Sequence, residues 1–230
     1  MDQVSGSGAI GRPRVVVSVG TSVDGRVTLR RDRLLLDEDA SRVWQSLSPP
    51  GAHALEDARS SLLASLYQPQ AVLEGSGSFV ADSVGPLSGL SIDFDYSVDV
   101  LYSDFLPEEV VERPDHEKWF TVVDSRGRVK WHTKSRGGFD LLVLVACATP
   151  PEYLAYLRQE RISYLVVGDE RVDLPVALRP RGDRRDALAA IRGHPRRDTN
   201  SYRISRVGPL GPFAGSQFQT RSAVWPMMID

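Results

Sequence analysis

The sequence contains a single cysteine, Cys147, and this excludes an internal disulfide. Because it closes the apolar run LLVLVAC, we expect a buried structural thiol rather than a nucleophile. The four histidines lie far apart and have no partnering cysteines, so no metal site is suggested. No apolar run approaches the ~20 residues that span a bilayer, and the N-terminus has no apolar signal region. We therefore expect a cytoplasmic protein without a membrane partner.

Charge is distributed unevenly along the 230 residues. Residues 1–178 carry 18 basic and 26 acidic side chains, a balance of −8, whereas residues 179–230 contain 10 Arg, 4 Asp and no Lys, a balance of +6. With 41% apolar and 25% charged residues, the composition is that of a globular protein. We divide the chain into a flexible Gly/Ser-rich arm (1–12), one α/β domain (13–178) and a basic tail that contains proline and glycine (179–230).

Short apolar runs alternate with segments of helical periodicity over residues 13–178. This pattern predicts an α/β fold with a mostly parallel central sheet flanked by helices. We also expect a strand within SVDVLYSDFLP, an exposed loop or short helix in PEEVVERPDHEK, and an extended arm at 129–132. The other predicted strands are 15–19, 71–73, 119–123, 141–146 and 162–167. The predicted helices are 37–47, 53–67, 78–83 and 150–159.

The first candidate site follows the predicted strand 15–19, in the segment GTSVDG. Thr21, Ser22 and Asp24 offer short polar groups, and Gly25 can take a positive φ. Ligands bind at the carboxyl ends of strands in open α/β sheets, although an ordinary capped turn has the same composition. The arginines at positions 30, 31 and 33 could capture a phosphate or simply belong to a solvated loop.

The second candidate site is the segment EGSGSF, between the predicted strand 71–73 and the predicted helix 78–83. A Gly/Ser loop at the start of a helix presents backbone N–H groups that favour phosphate or another anion. A generic Gly/Ser turn without a ligand remains the alternative.

Together these segments resemble the pyrimidine-reductase family of riboflavin biosynthesis, the RibD C-terminal domain. The matching segments are VVVSVGTSVDGRVTL, AVLEGSGSFVAD, FTVVDSRGRV, LLVLVACATPPEYLAYL and ISYLVVG, and they cover residues 14–178 approximately. The resemblance implies a dihydrofolate-reductase-like fold, a homodimer and NADPH-dependent reduction of a phosphoribosylamino-pyrimidine. The expected partner is therefore a pyrimidine or a related heterocycle.

The resemblance also implies roles for individual residues. Ser22 and Asp24 would line the pocket near the reacting centre, as catalytic residues. Ser78 and Asp82 would contact the ribose of the cofactor or substrate, and Arg126 in the DSRGR segment would contact a cofactor phosphate. The full set of implied cofactor-binding residues is Gly75, Gly77, Ser78, Asp82, Ser125 and Arg126.

The family pattern stops after Leu178. The tail has 5 Pro, 5 Gly, no Gly-Gly pair and no apolar run long enough for a core strand, so we expect an unpaired sheet edge. Three explanations remain open: a partly disordered basic extension, a nucleic-acid-binding arm, or an out-of-frame translation product. The nucleic-acid arm ranks last, because its arginines are scattered and no recognised motif is present. Besides the reductase, a truncated, non-catalytic nucleotide-binding or interaction protein of the same fold is the alternative function.

Overall fold

A computed structural model of the protein describes residues 14–19, 24–25, 34, 38–93 and 95–178, and the backbone of 204–206 and 227–229. The 1–12 arm, Ser22 with most of the GTSVDG segment, and the arginines at 30, 31 and 33 lie outside the described residues. Most of the 179–230 tail also lies outside them, so the predictions made for these parts stay predictions.

Helices and strands alternate through the central part of the chain. The helices of the described residues are α1 (Glu38–Leu47), α2 (Ala52–Tyr67), α3 (Val98–Leu101), α4 (Glu108–Val111), α5 (Pro151–Gln159) and α6 (Leu174–Ala177), with a 3₁₀ turn at Ser76–Ser78. The strands are β1 (Ala71–Gly75), β2 (Lys118–Val123), β3 (Ser135–Arg136), β4 (Phe139–Val145), β5 (Ser163–Val166), β6 (Ile204–Arg206) and β7 (Met227–Ile229).

The strands form one sheet with a parallel centre. Strands β1, β2, β4 and β5 are neighbours in that order and all run parallel. Strand β3 pairs antiparallel with the start of β4, whereas β7 and β6 extend the β1 side in antiparallel fashion. The fold is therefore mixed α/β, with a mostly parallel central sheet flanked by helices, as the sequence predicted.

The parallel strands are buried on both faces, as their continuous apolar runs indicated. On one face Val72, Val122 and Val143 pack with Tyr153 and Leu157 of α5. Because side chains alternate along a strand, the intervening residues point to the opposite face and form a second cluster. That cluster consists of Ala71, Leu73, Trp119, Leu142, Leu144, Leu165, Val167 and Ala177 of α6. Burying each large apolar side chain stabilises the fold by about 1.5–3 kcal/mol.

The predicted arm at 129–132 has no regular secondary structure, bends at His132 and is held by two tyrosines of α5. The Trp131 indole donates to the Tyr153 hydroxyl (3.0 Å), which itself donates to the Val129 carbonyl (3.1 Å). The Tyr156 hydroxyl accepts from the Trp131 backbone N–H (2.9 Å). Burial, followed by the nearby Asp124 charge, raises the pKa of Tyr153 well above its ordinary value, so Tyr153 stays a neutral hydrogen-bonding partner.

The prediction of a buried first strand at 15–19 is wrong. Residues 14–19 form no strand beyond a single bridge at Val15, and Val15 and Val17 are 44% and 58% exposed. Arg14 instead lies against the end of α2, with its guanidinium carbon 5.4 Å from the centre of the Tyr67 ring. A β-branched run becomes a strand only when it finds a pairing partner, and the outer edge of β1 is already paired with β7.

Two local predictions between β1 and β2 are also wrong. The expected helix at 78–83 does not form: the chain makes a 3₁₀ turn at Ser76–Ser78 and then a turn in which the Ala81 carbonyl accepts from the Val84 N–H (3.0 Å) and from Arg128 (3.0 Å). The expected strand in SVDVLYSDFLP is the short helix α3. Its final turn is fixed by Arg158, which donates to the carbonyls of Val100 and Ser103. The short helix α4 in PEEVVERPDHEK agrees with one of the two predicted alternatives.

The tail contributes to the sheet, contrary to our expectation of an unpaired edge. Strand β7 (Met227–Ile229) pairs antiparallel with β1. Strand β6 (Ile204–Arg206) pairs antiparallel with β7. Three residues are enough here, because an antiparallel neighbour needs only backbone N–H and C=O groups facing the edge. None of the helices in the described residues is long and apolar enough to cross a membrane.

Candidate functional site

The candidate site lies at the carboxyl ends of the parallel strands. Gly75 is level with Val123 in β2, and Val123 is level with Leu144 in β4, so these strands end together. The loops that leave them are residues 76–82, 124–128 and 146–149, and the loop after β5 is 167–173. The site is therefore built from four loops on one edge of the sheet.

Asp124 organises the loop after β2. Its side chain is fully buried, and one carboxylate oxygen, Oδ2, accepts from the backbone N–H groups of Arg128 (2.7 Å) and Val129 (3.0 Å). Gly127 has a φ of +63°, and a Cβ there would lie 2.8 Å from the Tyr153 ring, so the turn requires glycine. The DSRGR segment thus forms a fixed turn, with Arg126 exposed and Arg128 buried.

Arg128 joins the loop after β2 to the loop after β1. Although only 4% exposed, it donates from Nη1 to the Ala81 carbonyl (3.0 Å) and from Nη2 to the Ser76 hydroxyl (3.0 Å). Burial, and then the charge of Arg126, lowers the pKa of Arg128, whereas Asp124 and Asp82 act in the opposite direction. Sequence reasoning missed this residue; the only available signal was a second arginine in DSRGR, two positions after Arg126.

Arg126 and Asp82 are two of the predicted site residues, and the fold brings them together. Arg126 Nη2 lies 2.8 Å from Asp82 Oδ1, and the side chains are 51% and 87% exposed. Arg126 Nη1 also approaches the Asp82 backbone carbonyl at 3.4 Å. The candidate site therefore presents an accessible guanidinium whose present counter-ion is a carboxylate on a neighbouring loop.

The glycines of the first loop leave open space. A Cβ built on Gly75 or Gly77 would meet nothing within 4 Å, in contrast to the tight surroundings of Gly127. Ser78 is half-buried at the end of the 3₁₀ turn, beside the buried Ser76 that binds Arg128. The absence of side chains at 75 and 77 leaves room for a ligand to approach the backbone closely.

Ser125 connects the remaining loops rather than pointing at Asp82. Its hydroxyl accepts from the Val172 N–H (2.9 Å), and its carbonyl accepts from the Thr149 hydroxyl (2.9 Å). The Thr149 Oγ1 also accepts from the Ala146 N–H (3.0 Å), so it closes the turn after β4. A ligand could use only the remaining hydrogen-bonding capacity of Ser125.

The residues predicted to be catalytic are only partly described. Ser22 lies outside the described residues, and Asp24 is exposed in a turn. Gly25 has the positive φ that the sequence suggested, at +78°. The catalytic roles of Ser22 and Asp24 stay predictions.

The prediction of a buried Cys147 is wrong, because the thiol is exposed. Pairing between β4 and β5 ends at Val145, and Cys147 lies in the turn beyond it, where its N–H donates to the Gly168 carbonyl (3.0 Å). Within the described residues, no group of three or more His, Cys, Asp or Glu side chains could hold a metal ion.

Comparison of the sequence with family models and with curated proteins found no match. The fold and the site together define a mixed α/β protein with an arginine-containing candidate ligand site at the carboxyl edge of a parallel sheet.

Proposed function

We propose that the protein is a cytoplasmic, NADPH-dependent reductase of the kind that acts in riboflavin biosynthesis on 5-amino-6-(5-phosphoribosylamino)uracil. In this reaction NADPH gives a hydride to C1 of the ribose while the bond from C1 to the ring oxygen breaks. A proton goes to that oxygen, and the products are the open ribityl chain and NADP⁺. The proposal rests on the sequence resemblance to pyrimidine reductases and on the geometry of the site.

One observation carries the proposal furthest: Asp82 and Arg126, 44 positions apart in sequence, meet at the carboxyl edge of the sheet. The sequence resemblance implies a cofactor contact for each of them, and they come from separate segments of the chain. The carboxyl edge is where open α/β sheets bind ligands, so the location of this pair agrees with a cofactor site.

The groups at this edge fit NADPH in charge and in shape. The half-exposed guanidinium of Arg126 suits a phosphate, because it can donate two parallel hydrogen bonds. The open space over Gly75 and Gly77 suits the close approach of a ribose or a pyrophosphate. In the proposed complex Ser78 and Asp82 contact ribose hydroxyls. Hydride transfer itself is chemistry of the bound cofactor, and the protein supplies alignment and electrostatic positioning.

NADPH fluorescence titration of the purified full-length chain tests the proposal. Arg126→Gln should weaken binding by about tenfold to a hundredfold, because a charge-assisted hydrogen bond contributes about 1.5–3 kcal/mol. Arg161→Gln is the matched control, since Arg161 is also half-exposed and paired with a carboxylate, that of Glu109. Equal affinity of the wild type and Arg126→Gln for NADPH would contradict the proposed site.

The same titration on a chain cut after Leu178 examines the contribution of the tail. Strands β6 and β7 pair beyond β1, whose carboxyl end leads directly into the Gly/Ser loop. We therefore expect the truncated chain to bind NADPH more weakly than the full chain. Unchanged affinity after truncation would show that the tail is not needed for the site.

A non-catalytic nucleotide-binding protein is a second candidate. The observation that favours it is that segment 15–19 forms only a single bridge instead of a buried strand, because the predicted catalytic Ser22 and Asp24 were expected to follow a strand of the sheet. NADPH binding without NADPH consumption in the presence of the pyrimidine substrate would support this candidate. Consumption of NADPH in the presence of this substrate, measured as a decrease in NADPH absorbance, would instead support the reductase.

A further inference from the structure

Asp82 shares one carboxylate oxygen between two arginines of different accessibility. Its Oδ1 lies 2.8 Å from Nη2 of the half-exposed Arg126 and 3.8 Å from Nη1 of the buried Arg128. The Asp82 side chain is itself 87% exposed, so the carboxylate reaches the arginines from the solvent side. This is the position that an external anion would take to contact the same two guanidinium groups.

The loop backbone does not depend on the Asp82 carboxylate. Arg128 holds the loop through the Ala81 carbonyl and the Ser76 hydroxyl, and Arg126 approaches the Asp82 carbonyl. The Asp82 side chain can therefore leave while the loop keeps its conformation. An exposed ion pair of this type is weak, which makes its exchange for a stronger anion favourable.

We propose that Asp82 is an internal competitor that occupies Arg126 in the free protein and is displaced by a phosphate monoester. A phosphate dianion brings a larger charge than a carboxylate and can accept hydrogen bonds from both arginines at once. This inference rests on the proposed function in that it takes the phosphate to be that of NADPH. Asp82 then sets the affinity of the site for phosphorylated ligands.

Removal of the competing charge should strengthen phosphate binding. Asp82→Asn keeps the size of the side chain and releases Arg126, so we expect about fivefold tighter binding, the equivalent of about 1 kcal/mol for an exposed ion pair. Arg126→Gln removes the group for which both anions compete and should weaken binding by about tenfold or more.

The first experiment is calorimetric titration of the full chain with inorganic phosphate, at an ionic strength held constant with sodium chloride. Constant ionic strength matters because salt screens the attraction between the exposed guanidinium and the phosphate. Glu109→Gln is the matched control: it removes one negative charge from another exposed arginine pair, that with Arg161, outside the candidate site. It should leave phosphate affinity unchanged.

The second experiment compares NADPH with NADH, which lacks the 2′-phosphate. Asp82→Asn should raise the affinity for NADPH relative to that for NADH, because loss of a ribose contact affects both cofactors equally and only NADPH carries the anion that replaces the carboxylate. Tighter phosphate binding by Asp82→Asn with no NADPH binding by any variant would support the inference while removing NADPH as the ligand.

Three results would overturn the inference. The first is equal phosphate affinity for Asp82→Asn and the wild type, or no phosphate binding by either. The second is an equal increase in phosphate affinity for Glu109→Gln and Asp82→Asn, which would show that only the net charge of the protein matters. The third is a ratio of NADPH to NADH affinity that Arg126→Gln lowers but Asp82→Asn leaves unchanged. That result would support Arg126 as a cofactor contact and would contradict the role of Asp82 as a competitor.

Discussion

Asp124 gives the sharpest test of how the candidate site is built. Its buried carboxylate accepts from the N–H groups of Arg128 and Val129, and both of these residues are buried. Asp124→Ala removes the acceptor and leaves two buried N–H groups without a hydrogen bond, at about 1–3 kcal/mol each. Part of this cost is offset, because the variant no longer has to bury a charged carboxylate. We expect a net loss of about 2–4 kcal/mol in the free energy of unfolding.

Asp124→Asn should cost less, about 1 kcal/mol, because the amide oxygen can still accept both hydrogen bonds without the charge. Urea unfolding followed by the fluorescence of the buried Trp119 and Trp131 measures both losses. Asp169→Ala, which truncates an exposed aspartate in the loop after β5, is the control and should change stability by less than about 0.5 kcal/mol.

The relative stability losses of Asp124→Ala and Asp124→Asn show whether hydrogen-bond acceptance or charge stabilises the turn. If Asn costs as much as Ala, the charge rather than the acceptor geometry stabilises the turn. If Ala costs less than about 1 kcal/mol, the two N–H groups find other acceptors, and the argument that Asp124 fixes the DSRGR turn is wrong. A destabilised Asp124→Ala that still folds should also bind NADPH more weakly, because Arg126 and Arg128 lie on this turn.

Three further predictions follow from the same contacts. Gly127→Ala should destabilise the protein by about 1–3 kcal/mol in urea unfolding, because its Cβ would meet the Tyr153 ring at a positive φ, whereas Gly77→Ala should be neutral within about 0.5 kcal/mol; equal effects would contradict the described turn. Burial raises the pKa of Tyr164 to about 12, above the unfolded value of about 10. The neutral Tyr164 hydroxyl therefore contributes fully to the stability of the fold below pH ~10, and this contribution is lost as the pH rises to ~12. Between pH ~10 and ~12 the free energy of unfolding of Tyr164→Phe should therefore fall by up to about 3 kcal/mol less than that of the wild type. An equal fall in both proteins would contradict the raised pKa of Tyr164. The exposed Cys147 should react with a maleimide in the folded protein nearly as fast as in urea; strong protection in the native state would contradict its exposure.

Much of the fold was readable from the sequence, because burial on both faces gives parallel strands continuous apolar runs. The runs at β2, β4 and β5 were assigned within one or two residues, and the amphipathic helices α1, α2 and α5 equally so. The DSRGR and Gly/Ser segments, both of which the sequence resemblance assigns to the cofactor, follow adjacent parallel strands and therefore lie at one edge of the sheet.

The errors occurred where local composition competes with long-range pairing. The run at 15–19 has the composition of a strand but forms only a single bridge, whereas the outer edge of β1 is paired with a segment that is more than 150 residues further along the chain. The segment around Val98–Leu101 is β-branched and apolar, yet the helix forms there, with contacts from Arg158 of α5 to its final turn.

The sequence by itself determined the fold class and the two loops of the candidate site, because side-chain period and turn chemistry are local properties. The tertiary structure alone decided that Arg128 is buried between the loops, that Cys147 is exposed and that Asp82 occupies Arg126. These facts depend on which loops meet and where strand pairing ends. No single segment of the chain contains that information, because each contact joins residues from separate elements.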